Sequence, residues 1–348
     1  MGNGTGSTLE ERLKTGTVIV AEGYVFELEH RGYIKAGPYV PEAVIDFPEA
    51  VRQLHREFLR AGSDVMVALT YYAHRDKLKD VGRENDLEAM NRQAVCLAKE
   101  VAAEGDALVA GNICNTWIYD PSDAERSGAE VRSMYLEQVG WAADEGVDFV
   151  LSETNDYLGE ALIALEVCHE LGLPAVVNLQ SNLRPEERDA TRDGVDYVEA
   201  CKILADKGAA VVGFNCSRGP STLMPLVRQL RDEVQTPIAA IPVPYRTNAA
   251  RPVMGSLEFD GKRSFPLTME PHLLTRYEIA EFAKEANEIG VEMIGVCCGG
   301  TPLHVRAMAE AIGRSVPASR YSPAMELHPV LGQSGSEEDR ALRKNYAV

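Results

Sequence analysis

Eight short apolar runs separated by helical stretches constrain the fold of this chain more than any single residue does. The runs are 17–21, 64–71, 107–113, 148–154, 175–179, 210–216, 237–241 and the one ending at Cys298. Between them, apolar residues recur at helical spacing over 48–60, 86–103, 130–145, 158–171, 195–207, 223–234 and 276–289, and most of these segments stop at a glycine. The runs are apolar along their whole length rather than alternating, as strands of a parallel sheet buried on both faces should be. Eight such repeats predict a single (β/α)8 TIM barrel. An open doubly wound sheet is the competing fold. Against it, no glycine-rich phosphate fingerprint follows the first strand, and no G-x-x-x-x-G-K-[ST] occurs. The expected organisation is a disordered lead over 1–8, the barrel over 9–320 and a C-terminal arm or tail over 321–348. The stretch 246–272 has proline and glycine but little periodicity, and reads as an active-site loop.

Composition narrows the function. The net charge of −18 disfavours nucleic acid and anionic membrane surfaces as partners. No run of about 18 apolar residues is present, so no membrane span is expected. The start lacks the basic and apolar regions of a secretory signal, and seven cysteines, an odd number, argue for reduced thiols in a cytoplasmic protein.

Two strand ends carry thiols. Ala210-Val-Val-Gly-Phe-Asn-Cys216 ends strand six, and Ile294-Gly-Val-Cys-Cys-Gly-Gly-Thr-Pro302 ends strand eight in a glycine turn, with Thr301 placed to cap a helix that opens at Pro302. An isolated Cys-Cys pair is often only a small buried hydrophobe. Three thiols on two strand ends also make a zinc site with one open position. The barrel puts both ends at the same face, where active sites of this fold lie. Glu153 ends strand four there, Glu22 lies just beyond strand one, and Tyr71 and Tyr72 end strand two. Cys96, Cys114, Cys168 and Cys201 read as structural fillers.

Gly-Phe-Asn-Cys216 and Val-Cys-Cys-Gly-Gly-Thr-Pro302 resemble the two zinc motifs of the homocysteine S-methyltransferases. Residues 24–38, 48–63 and 104–111 are similar to the betaine-dependent members almost residue for residue, and the likeness runs from about Leu9 to about Ala324. The resemblance implies a barrel that binds Zn2+ through Cys216, Cys297 and Cys298 and moves a methyl group from a small methylated onium donor to homocysteine, giving methionine. It implies Glu22, Gly23, Glu153 and Asn215 as the homocysteine-binding set, and a homo-oligomer, dimer or tetramer, as the assembly.

Departures from the pattern qualify the site. The family carries Asp-Gly-Gly after strand one, whereas this chain has Ala21-Glu22-Gly23, so Glu22 must reach the acceptor from one position later. Glu153 matches the family's second acidic residue; a rim salt bridge is its bland alternative. For the donor, aromatic faces are the expected cage for an onium ion. Tyr72 matches a family tyrosine and Tyr71 adjoins it. Tyr39 stands where the betaine enzymes have tryptophan, and Thr154 where they have tyrosine. A sulfonium donor such as S-methylmethionine or dimethylsulfoniopropionate is therefore an alternative to a betaine. A non-catalytic zinc- or thiol-binding barrel is the reading from another class.

Overall fold

The computed structural model describes residues 7–180, 189–332 and 335–344. Its centre is a closed barrel of eight parallel strands, β1 (Val18–Ala21), β2 (Val65–Val67), β3 (Leu108–Cys114), β4 (Phe149–Asn155), β5 (Ala175–Gln180), β6 (Val211–Asn215), β7 (Ile238–Ile241) and β8 (Met293–Val296). Each strand lies beside its predecessor, and β8 closes on β1 in the register Val18–Met293 to Ala21–Val296. The eight strands are buried at every position, which is why their sequences show no alternation. The architecture is the (β/α)8 barrel expected from the pattern.

The helices fall where the spacing places them, with shifted ends. Observed spans are Pro48–Ala61, Leu87–Ala102, Ala124–Glu145, Leu158–Glu170, Tyr197–Asp206, Pro220–Glu233, Arg276–Glu288 and Pro302–Ala311. The third starts six residues earlier than predicted because Asp120 caps a short turn, Pro121–Asp123, that feeds straight into it. Residues 1–6 of the expected lead lie outside the described residues. Thr8, counted with that lead, is ordered as the cap of a helix at Leu9–Thr15: its N–H donates to Glu11 Oε2 at 2.7 Å and its Oγ accepts from Glu11 N at 3.3 Å. This helix faces the N-terminal ends of the strands across a cavity that it lines together with Asp148, Pro174, Ala210, Pro237 and Glu292.

Strand ends differ from the reading in a way that matters. The second run continues apolar to Leu69, yet β2 stops at Val67, and Tyr71 and Tyr72 stand in a turn beyond it. Likewise Cys216 follows β6 and Cys297 follows β8, each one residue past the ladder. Loop backbone, not strand, therefore sets the direction of the thiols and tyrosines. The 246–272 stretch folds into short turns and a small antiparallel ribbon, Glu258–Phe259 with Lys262–Arg263.

Gly213 and Gly295 are required by sterics inside the sheet. A Cβ on Gly213 would lie 2.1 Å from the Ala239 carbonyl oxygen, and one on Gly295 would lie 2.3 Å from that of Val20. Backbone on the neighbouring strand cannot yield without opening the barrel. Gly213→Ala is therefore expected to abolish soluble folded protein. Gly140→Ala, in the helix Ala124–Glu145 with open space at the would-be Cβ, should instead raise stability by about 0.5–1 kcal/mol. Chemical denaturation of both variants checks the pair, and equal behaviour would contradict the steric account.

Candidate metal and substrate site

Three thiols meet at the C-terminal mouth. Cys216 Sγ stands 3.6 Å from Cys298 Sγ, which is 3.9 Å from Cys297 Sγ, and all three sulfurs lie within 4.8 Å of one another. Tetrahedral thiolates at about 2.3 Å from zinc would have sulfurs about 3.8 Å apart, whereas a disulfide would bring them to about 2.05 Å. All seven cysteines are free. The separations thus fit a shared soft metal. The turn after β8 makes the pair converge: Gly299 takes φ +85°, and Gly300 donates its N–H to Cys297 O at 2.7 Å. Hydrogen bonding within the cluster, to Cys297 and Cys298, holds the Cys216 thiol well below the usual range. Burial keeps Cys297 well above it.

Beside the thiols lie two carboxylates. Asn215 Nδ2 donates to Glu22 Oε2 and to Glu153 Oε2, both at 3.0 Å, and stands 3.8 Å from Cys297 Sγ. Its Oδ1 accepts from Thr154 N at 2.8 Å, so the amide orientation is fixed. Asn112 Nδ2 donates to Glu153 Oε1 at 2.7 Å. Glu22 thus enters the site from just past β1, where its N–H donates to Val296 O at 3.1 Å. Its Oε1 is buried and has no hydrogen-bond partner. Burial and the neighbouring Glu153 push the Glu22 carboxyl well up, and burial pushes Glu153 up to about 8. A buried pair of acids with an unsatisfied oxygen suits a cationic ligand. Gly23 does not line the cavity. It caps the helix Tyr24–His30, and its Cα lies so near the Gly300 carbonyl that a Cβ would come within 2.1 Å of the oxygen.

The thiols and carboxylates form the floor of a cavity of about 240 Å³, whose walls include Tyr39, Tyr71, Tyr72, Thr154, Trp117, Met254 and Phe265. All four predicted donor-site residues are therefore in it. The Tyr71 and Tyr72 rings are 4.2 Å apart at 41°. Tyr39 stacks on Phe26, centroids 5.4 Å apart at 8°. Thr154 contributes no reach, because its Oγ1 donates to Glu153 O at 2.7 Å and contacts Asn115 Oδ1 at 3.1 Å. Tyr24 also lines the cavity, but its hydroxyl is bound to His55 Nδ1 at 3.0 Å.

Backbone strain concentrates here. Among the described residues, eight that are not glycine take φ between +52° and +65°; Asp106 and Asp260 do not line the cavity, and the other six are Tyr39, Tyr72, Trp117, Thr154, Cys216 and Ser217. Each such residue costs on the order of 1–3 kcal/mol. Five of the six line the cavity, and Ser217 adjoins Cys216.

Trp117, Asn112, Gln180, Met254 and Phe265 were not singled out from the sequence. Trp117 had a usable signal, since it lies three residues beyond β3 at the face where barrel sites form. Cys114, read as filler, ends β3 and accepts the Tyr72 N–H at 3.4 Å, so it braces the aromatic wall.

Fold and site together define a barrel enzyme with a cluster of three thiols and an acidic pair at its C-terminal mouth. The chain belongs to the homocysteine S-methyltransferase family, whose profile matches residues 4–312. It is 40% identical over 314 residues to betaine–homocysteine S-methyltransferase 1 of Xenopus tropicalis, covering 87% of this chain and 75% of that protein. It is 38% identical over 329 residues to the S-methylmethionine–homocysteine S-methyltransferase of Rattus norvegicus, covering 92% and 85%. The metallated form of an Escherichia coli homocysteine methyltransferase shares the fold, with TM-score 0.65 and 20% identity over 85% of this chain and 96% of that one.

The acid pair yields a pH prediction for the ligand-free protein. Glu153 keeps its proton in the folded state up to about pH 8, whereas an unfolded glutamate releases it near 4.5. Its stabilising contribution is present at low pH and is lost as pH rises through 8. Glu153→Gln should therefore gain stability over the parent as pH goes from 5 to 8. Thermal unfolding across that window checks this, and a pH-independent difference would assign the titration elsewhere.

Proposed function

We propose that this chain transfers a methyl group from a small onium donor, in the first reading a betaine, to the thiol of homocysteine, giving methionine. One observation carries the reading: three thiols, two carboxylates and an aromatic wall share a single cavity. Cys216, Cys297 and Cys298 would hold zinc and leave one coordination position open. Bound zinc supplies Lewis acidity that lets a coordinating thiol lose its proton at neutral pH.

The remaining work falls to side chains of the chain itself. Glu22 and Glu153 take the amino group of homocysteine, and the cation draws both acids into their ionised form. Asn215 spaces the two carboxylates and ties them to the Thr154 backbone, so the acceptor is oriented before the donor enters. The onium group sits against Tyr71 and Tyr72, which attract a cation through their ring faces. No fixed anion is needed at that end, and the leaving amine or sulfide departs neutral. The acceptor sulfur forms the new bond to the methyl carbon while the carbon–nitrogen or carbon–sulfur bond breaks.

A sulfonium donor is a second reading. It is favoured by Thr154, whose side chain is tied back and adds no ring, and by the likeness to the Rattus norvegicus enzyme named for S-methylmethionine. The non-catalytic alternative loses its motive, because Glu22 supplies the carboxylate that Ala21 lacks. An assembly of two or four copies belongs to the same reading. Tyr321, Leu327 and Leu331 are exposed apolar side chains that such an assembly could cover. Seven free thiols suit a reducing cytoplasm.

The purified protein is expected to hold about one zinc per chain, as a three-thiolate site implies. Cys216→Ala, Cys297→Ala and Cys298→Ala should each lose most of it, while Cys96→Ala and Cys168→Ala should not. Full zinc in the first three by elemental analysis would refute the ligand set. Methionine formation from homocysteine with glycine betaine, S-methylmethionine and dimethylsulfoniopropionate tests the activity, and no product with any of them would overturn the reading.

For the acceptor, Glu22→Gln and Glu153→Gln should each weaken homocysteine binding about tenfold or more, the scale of a hydrogen bond to a charged partner. Donor KM should change little. Calorimetric titration with homocysteine alone decides it; parent-like affinity in Glu22→Gln would mean that this carboxylate is not used.

A further inference from the structure

Trp117 has no role in the account above, yet its placement is hard to explain by packing. It stands in the loop after β3, is 45% exposed, and takes φ +65°. A bulky side chain in the left-handed region is strained, and a half-exposed ring returns little burial for it. The loop instead turns the indole into the cavity, which it lines together with the three thiols. There its Nε1 donates to the Tyr72 hydroxyl at 2.8 Å. Tyr72 is itself at φ +58°, with its N–H on the Cys114 sulfur. Two strained loops, after β2 and after β3, are thus bonded to each other through their aromatic rings.

Trp117 shares the cavity wall with the rings of Tyr71, Tyr72 and Phe265. Tyr39 has one face covered by Phe26, and Thr154 carries no ring. Indole is the strongest cation-attracting face among the natural side chains. A guanidinium already rides on this one: the central carbon of Arg192 is 5.8 Å from the Trp117 ring. Arg192 is held at 3.5 Å by Asp156 and does not line the cavity.

We propose that Trp117 is a donor-binding residue, the outer wall of the onium pocket, and that its bond to Tyr72 fixes the width of that pocket. The proposal rests on the methyl-transfer reading and adds to it a residue from the β3 loop. Glycine betaine and dimethylsulfoniopropionate would enter past the indole, with their methyl groups against Trp117, Tyr72 and Tyr71 and directed at the thiol cluster.

Two measurements test it. The chain has two tryptophans, and Trp141 lies on the helix Ala124–Glu145, away from the cavity. In titrations followed by fluorescence, at least one of the two onium compounds should quench the parent protein, and Trp117→Phe should lose that response. The uncharged-headed isostere of glycine betaine, 3,3-dimethylbutanoate, should bind at least about tenfold more weakly, the scale of one cation–π contact. In methyl-transfer assays, Trp117→Leu should raise donor KM about tenfold or more. Homocysteine KM should stay near the parent value, and Trp117→Phe should recover most of the loss.

The outcomes separate cleanly. Transfer by the parent with unchanged donor KM in Trp117→Leu overturns the proposal and leaves the methyl-transfer reading standing. Quenching that requires Trp117, without methionine formed from any of the three donors, overturns the methyl-transfer reading and keeps the onium pocket. A parent that neither responds to an onium compound nor transfers from one overturns both.

Discussion

The pairing of β8 with β1 is the contact on which the mouth of this barrel depends. Its register carries Val18–Ala21 alongside Met293–Val296 and continues one step further, through Glu22 N–H to Val296 O. That last bond sets Glu22 beside Cys297. A slip of one residue would exchange the two faces of β1 and turn the carboxylate away from the cavity. Gly23 then lets its segment approach the Gly300 carbonyl more closely than any side chain would permit. Thiol and carboxylate chemistry thus meet because the first and last strands close the ring.

Charge inside the cavity is balanced by dipoles rather than by countercharge. Among the described residues, no lysine, arginine or histidine lines it. Asn215 and Asn112 supply the hydrogen bonds that the two acids need, and protonation removes the remaining cost of burial. Such a site is at rest without a ligand and gains most from a cation. The same electrostatics run through both halves of the proposed reaction, since the acceptor brings an ammonium and the donor an onium group.

Much of this was legible in the sequence because each signal was periodic or local. Apolar runs without alternation gave the barrel, and the cysteines at two run ends gave the thiol cluster. What escaped depended on loop backbone. The run 64–71 is apolar to Leu69, so nothing in its composition marks the end of β2 at Val67 or the turn that aims Tyr72. Trp117 escaped because the family resemblance places its aromatics at positions 39, 72 and 154. The resemblance put Asn215 in one set with Glu22 but not their hydrogen bond: the two are 193 residues apart, and the closed ring brings them together. Gly213 and Gly295 look like ordinary weak points of a strand until the opposing carbonyls are in view.

The left-handed residues around the rim set the molecule's stability against its chemistry. Tyr39, Tyr72, Trp117, Thr154 and Cys216 would each be relaxed by glycine, which adopts that backbone freely. Every such replacement would remove a ring, a hydroxyl or a sulfur from the cavity. A lineage drifting only toward a sturdier fold would therefore empty this pocket one side chain at a time, while the barrel beneath it stayed intact. Strain held at so many neighbouring positions means that the packing and hydrogen bonds around this pocket over-determine its backbone.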